Sequence, residues 1–167
     1  MIILARVDDR LIHGQIVQGW LKSISIDAIL VISDEAAKDP SWQLLMGIAV
    51  PPNIEFKVDS AEHASLSILN GEYDEKKLLL LADSPSVFLY LLKKGVVLDS
   101  LNVGGMHYAA GKKKILFNIY ADEQDISDLT GIADMGVKID NRLLPNDEKI
   151  DAAFFIKKYA GGSNEKN

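Results

Sequence analysis

The chain has 167 residues, with 48% hydrophobic and 25% charged side chains, a formal net charge of −6 and no cysteine. That length and composition suit one globular domain with a sizeable core. The lack of cysteine excludes disulfides, thiolate chemistry and Cys-based zinc sites and fits a reducing cytosol. The acidic balance argues against nucleic-acid binding, which calls for a basic surface.

In chain order, residues 1–7 form an apolar run that reads as a buried first strand. It passes straight into Arg6-Val7-Asp8-Asp9 without the basic start and processing site of a signal peptide. No later run approaches the ~18 apolar residues of a membrane helix, so no direct insertion is expected. Ile16, Val17, Trp20, Leu21 and Ile24 mark one face of a first helix. Residues 27–34 are near-continuously apolar, as in a parallel strand covered on both faces. A helix over 35–48 follows, with Pro40 starting a fresh turn inside it and Pro51-Pro52-Asn53 beyond its end.

Residues 54–59 predict a third strand, and a helix through Leu66 and Leu69 ends at Asn70-Gly71. Residues 77–82, dominated by Leu78-Leu79-Leu80-Leu81, predict a central fourth strand. Asp83-Ser84-Pro85 opens the next helix and Gly95 closes it. Residues 98–103 form a fifth strand. The rhythm then changes, because residues 102–111 lead to a sixth strand over 114–120 without a helix, and that strand is a candidate for antiparallel pairing. A helix over 122–135 and a last strand over 137–143 follow. In that strand Val137, Ile139 and Leu143 alternate with Lys138, Asp140 and Arg142, which predicts one wet face and an edge position. A terminal helix over 147–159 completes a single domain, residues 1–160, and 161–167 read as a flexible tail. Alternating strands and helices predict a mostly parallel α/β sheet of about seven strands.

The densest chemistry lies between the first strand and first helix. In an open α/β sheet that junction is at the carboxyl edge, where ligands bind. His13 sits there just before a helix start, with its free N–H groups and positive dipole end. A neutral imidazole is a nucleophile at physiological pH. Arg10 could fork two N–H groups onto phosphate oxygens. Asp8 or Asp9 could accept a hydrogen bond from the ring nitrogen that does not react, fixing the tautomer. The loop suits a phosphoryl group held on histidine.

The stretch Arg6-Val7-Asp8-Asp9-Arg10-Leu11-Ile12-His13-Gly14-Gln15 resembles the active loop of the IIB component of the mannose/fructose/sorbose family of the phosphoenolpyruvate-dependent sugar phosphotransferase system. The similarity continues through Ala49-Val50-Pro51-Pro52, Asn102-Val103-Gly104-Gly105-Met106-His107 and Leu144-Pro145-Asn146-Asp147, in order along nearly the whole chain. The resemblance implies a doubly wound sheet with helices on both faces. It also implies a phosphotransferase cycle in which His13 takes a phosphoryl group from a IIA phosphocarrier and passes it to a sugar held by membrane IIC and IID subunits. The protein would then be cytoplasmic and meet the membrane only through those partners, with no cofactor and no metal site. Arg6, Gly14 and Gln15 belong to the same motif and are further candidates for phosphate contact.

Asn102, Gly104 and Gly105 follow the fifth strand and share that sheet edge, where two glycines let a backbone approach an anion. His107, in the same loop, is a candidate phosphate contact. His63 and the Lys112-Lys113-Lys114 run read as solvent-facing. Two alternatives stand beside the main reading. Asp8-Asp9 with Asp59 resembles the acidic pocket of receiver domains phosphorylated on aspartate, although Asn102 stands where they carry lysine. The same loop could also serve a phosphorylation-dependent regulator with no sugar transfer. His13-Gly14 does not complete the His-x-Gly-His pattern of nucleotidyl transferases. Asp140-Asn141-Arg142 is less apolar than is usual at that point of the family, which puts partner identity in question more than chemistry.

Overall fold

The computed structural model describes residues 1–162. The strands are β1 (Ile2–Asp8), β2 (Ala28–Ile32), β3 (Glu55–Asp59), β4 (Leu78–Ala82), β5 (Ser100–Gly105), β6 (Lys113–Leu116), β7 (Ile119–Ala121), β8 (Lys138–Asn141) and β9 (Ile150–Asp151). Seven of them form one sheet in the order β3-β2-β4-β1-β5-β8-β9, parallel except for β9. The helices are α1 (Leu21–Ser23), continuous with a π-helical segment over Gln15–Trp20, then α2 (Pro40–Ala49), α3 (Ala61–Leu69), α4 (Pro85–Lys94), α5 (Glu123–Asp134) and α6 (Ala152–Gly162).

The apolar runs are continuous because both faces of the central strands are covered. Successive side chains point to opposite faces, so Leu78 and Leu80 pack with Phe88, Leu91, Leu129 and Ile156 of α4, α5 and α6. Leu79 and Leu81 pack instead with Ile16, Trp20 and Met46 of the π-helical segment and α2. Fully burying each such leucine contributes about 1.5–3 kcal/mol. β1 lies between β4 and β5, whose helices cover one face, while the chain leaving β1 covers the other. Its carboxyl end is therefore a topological switch point, the crevice where α/β sheets bind ligands.

Several sequence expectations are corrected. Residues 114–120 do not form one strand of the main sheet. They fold as the β6–β7 hairpin, a separate two-stranded sheet. The seventh place is taken by β9, which pairs antiparallel with β8, so β8 is not the edge. The terminal helix begins at Ala152, because residues up to 149 form a loop and 150–151 are recruited into the sheet. The expected helix over 35–48 is split. Asp39 caps α2 by accepting from the Ser41 and Trp42 N–H groups at 3.0 Å, with Pro40 in the first turn where its missing N–H costs nothing. Gly161 and Gly162 close α6, and the rest of the expected tail, 163–167, lies outside the described residues.

Candidate functional site

The site begins with the phase of β1. Ala5 and Val7 enter the core beneath α4 to α6, so Arg6 and Asp8 face the opposite side of the sheet. Register sets Arg6 beside Asn102 of β5, and Asn102 beside Asp140 of β8. The core cluster on that face includes no residue of β5 or β8. A polar row stands there instead, with Arg6 and Asn102 buried and Asp140 half-buried.

Arg6 and Asp8 are both 0% exposed. Arg6 Nη2 donates to Asp8 Oδ2 at 2.8 Å, and Nη1 donates to Asn102 Oδ1 at 2.5 Å and to the Arg142 carbonyl at 2.9 Å. The Trp20 ring lies 5.5 Å from Arg6 Cζ and 5.1 Å from Arg142 Cζ, a cation–π contact with each. Gly104 exists where it does for this guanidinium: a Cβ there would lie 1.8 Å from Arg6 Cζ. Burial lowers the pKa of Arg6, opposed by the charge of Asp8. For Asp8, burial pushes upward. The His13 hydrogen bond and the Arg6 charge outweigh it, and the carboxyl settles at about 2. Asp8 is therefore an ionised, acceptor-only group.

That decides the tautomer of His13. Its Nε2 lies 2.8 Å from Asp8 Oδ2, and a carboxylate can only accept, so Nε2 carries the proton. Nδ1 keeps its lone pair and meets the Gln15 N–H at 3.4 Å, at the start of the π-helical segment. The ring is 15% exposed. The space before Gly14 is open, with nothing within 4 Å of a Cβ there.

The connecting turn carries strain. Leu11 has φ +55°, and its N–H donates to the Asp8 carbonyl at 2.9 Å. A left-handed non-glycine residue costs roughly 1–2 kcal/mol, and burying the fully enclosed Leu11 side chain offsets this with roughly 1.5–3 kcal/mol. Arg10, 39% exposed, reaches Gln15 Oε1 at 2.9 Å from Nη2 and Asp8 Oδ1 at a long 3.4 Å from Nε. Asp9 turns the other way and accepts from the His107 backbone N–H at 2.6 Å and pairs with its Nδ1 at 2.5 Å.

The structure thus brings Asp8, Arg10, His13, Gly14 and Gln15 together and sets Asp9 with His107 beside them. Arg6, Asn102 and Gly104 are not at the front. They are buried behind Asp8, where the two Arg6 Nη atoms and the Asn102 amide are hydrogen-bonded inside the protein and Arg6 Nε is left without a partner among the described residues. Gly105 stands 3.4 Å, in ordinary contact, from Asp8 Oδ1 if given a Cβ. Trp20, Asp140 and Arg142 were missed as site residues. Arg142 Nε and Nη2 donate to the two Asp140 oxygens at 3.0 and 3.3 Å. The face read as wet carries in part a half-buried ion pair, while Lys138 is exposed. The signal available was the charged pair inside an alternating strand, but alternation alone does not separate solvent from a polar interior.

The receiver-like pocket does not form. Two strands lie between β3 and β1, which sets Asp59 about 14 Å from the β1 edge, where it pairs with Lys57 at 3.0 Å and His63 at 3.4 Å. Among the described residues no group of three or more His, Cys, Asp or Glu side chains is placed to hold a metal ion.

Comparison with known proteins matches residues 2–167 to the family described as PTS system sorbose subfamily IIB component. The chain is 35% identical over 150 residues to the fructose-specific EIIB component of Bacillus subtilis, covering 90% of this chain and 92% of that protein. The mannose-specific EIIAB component of Escherichia coli is 32% identical over 95% of this chain, which spans 49% of that longer protein. Among solved structures, the IIBSor domain of the sorbose permease from Klebsiella pneumoniae has a TM-score of 0.89 and 32% identity, covering 95% of this chain and 97% of that one.

Proposed function

The chain belongs to the sorbose-subfamily IIB components of the sugar phosphotransferase system, and from that premise we propose that His13 carries the phosphoryl group. The general role, a part in sugar phosphotransfer, comes with the family. The observation that supports the finer reading is the His13 ring itself: Nε2 is held by an ionised, buried carboxylate, leaving Nδ1 with its lone pair beside a helix start.

In this reading Nδ1 attacks the phosphorus of a phosphohistidine on a IIA phosphocarrier. The new bond is N–P on His13, the old N–P bond breaks, and its electron pair returns to the donor imidazole. The Nε2 proton stays where it is. Once Nδ1 is bonded to phosphorus the ring bears positive charge, and Asp8 stands against it. Arg6 keeps Asp8 ionised from behind, Arg10 forks onto phosphate oxygens, and Gly14 leaves the approach open. In the second step a sugar hydroxyl oxygen bonds to phosphorus, the N–P pair returns to Nδ1, and the hydroxyl proton passes to water. We assign the sugar to membrane IIC and IID partners and the protein to the cytoplasmic side. No helix among the described residues is long and apolar enough to cross a membrane. The EIIAB protein, by its name, joins an A and a B component in one chain, which supports a IIA donor here.

The test starts from purified phospho-IIA in chelator. A phosphoramidate is lost in mild acid and survives warm alkali, whereas an acyl phosphate is destroyed by alkali. Label on this chain should be acid-labile and alkali-stable, absent in His13→Ala and near wild type in His63→Ala. Label that survives the loss of His13 refutes the proposal.

A further inference from the structure

The polar row behind Asp8 contains two ion pairs, Arg6 with Asp8 at 2.8 Å and Arg142 with Asp140 at 3.0 Å. Between them stands Asn102, 1% exposed. Its Oδ1 accepts from Arg6 Nη1 at 2.5 Å, and its Nδ2 donates to Asp140 Oδ1 at 2.8 Å and to the Arg142 carbonyl at 3.3 Å. An amide offers an acceptor to the cation on one side and donors to the anion on the other, with no charge of its own. Turned over, it would set N–H against N–H and oxygen against carboxylate.

We propose that Asn102 is a positioning residue for the His13 reaction, an uncharged bridge that satisfies Asp140 and so reserves the Arg6 guanidinium for Asp8. The proposal rests on the reading of His13 as phosphoryl acceptor and extends it one residue inward. Without the bridge, Asp140 loses a donor on the side facing Arg6 and competes for it. Asp8, less neutralised, would then hold a positively charged imidazole ring more tightly. The phosphorylated ring is such a group, so the onward step to sugar would slow. Arg10 and the Asp9–His107 pair also face this loop, and the variants below leave them in place.

The test is a double-substitution cycle read by NMR titration of the His13 ring in the unphosphorylated protein. Asn102→Ala changes no charge, yet the His13 ring should titrate at higher pH by roughly half a unit. Against the Asp140→Asn background, where no rival carboxylate exists, the same Asn102→Ala change should add no shift. Transfer from the phosphorylated protein to sugar should be several-fold slower in Asn102→Ala and recover in the double variant. His63, at the far edge of the sheet, serves as the internal control. If Asn102→Ala does not fold, the swap Asn102→Asp with Asp140→Asn keeps net charge and polar groups, and should shift His13 upward by more. A folded variant whose His13 titrates as in the parent, or an additive cycle, overturns the proposal. The titration needs no phosphoryl donor, so failure of wild-type labelling would refute His13 as acceptor without touching this measurement.

Discussion

Gly104→Ala and Gly105→Ala are neighbouring substitutions for which the structure predicts different outcomes. At Gly104 the new Cβ would lie 1.8 Å from Arg6 Cζ and 2.0 Å from Nη2. Relieving that overlap requires a shift of about 1.7 Å, since carbon contacts settle near 3.5 Å. A guanidinium is the far end of a flexible side chain, but this one is enclosed by Trp20, Asp8 and Asn102. A shift of that size breaks the 2.8 Å bond to Asp8 and the 2.9 Å bond to the Arg142 carbonyl. Breaking a buried ion pair costs about 3–5 kcal/mol, against which replacing a strand glycine returns about 0.5–1 kcal/mol. The net loss is about 3 kcal/mol, which for a domain of this size lowers Tm by about 10 °C. At Gly105 the nearest atom is Asp8 Oδ1 at 3.4 Å, so stability should stay within about 1 kcal/mol of wild type. Thermal unfolding followed by circular dichroism compares the two directly. Equal Tm values would refute the claim that Gly104 is there to admit Arg6.

Two further outcomes follow from the same geometry. Arg10→Lys should slow phosphoryl transfer by roughly tenfold if Arg10 clamps phosphate as proposed, because lysine keeps the charge but loses the planar fork that now reaches Gln15; an unchanged rate in a stopped-flow transfer assay would mean Arg10 acts only by charge. Asp8, at about 2 in the folded protein against 3.8 for the free group, contributes stability that is full above pH 4 and lost as pH falls towards 2. The loss is on the order of 2 kcal/mol. Denaturant unfolding across that range should therefore show a limb that Asp8→Asn flattens, and an identical limb in the variant would show that other carboxyls carry it.

Elements with a local cause are legible in the chain. Leu78-Leu79-Leu80-Leu81, in a short apolar run bounded by polar residues, reads as a strand covered on both faces, and it is one. The junction from Arg6 to Gln15 was legible as a candidate site because strand, loop and helix start are contiguous there, and the likeness of that motif to a known family carried the family assignment. What is not contiguous emerges only from packing. Whether Arg6 and Asp8 face a ligand or the interior depends on the phase of β1 against the two cores. The row Arg6, Asn102, Asp140 depends on parallel register between strands far apart in the chain. The same limit explains the strand exchanged at the edge, where two residues, Ile150 and Asp151, pair with β8 while residues 114–120 leave the sheet as part of a hairpin. Periodicity records which neighbours along the chain are buried together. It does not record which distant strand they meet, and it reads a buried ion pair and a solvated one alike, because both place a charge at every second position.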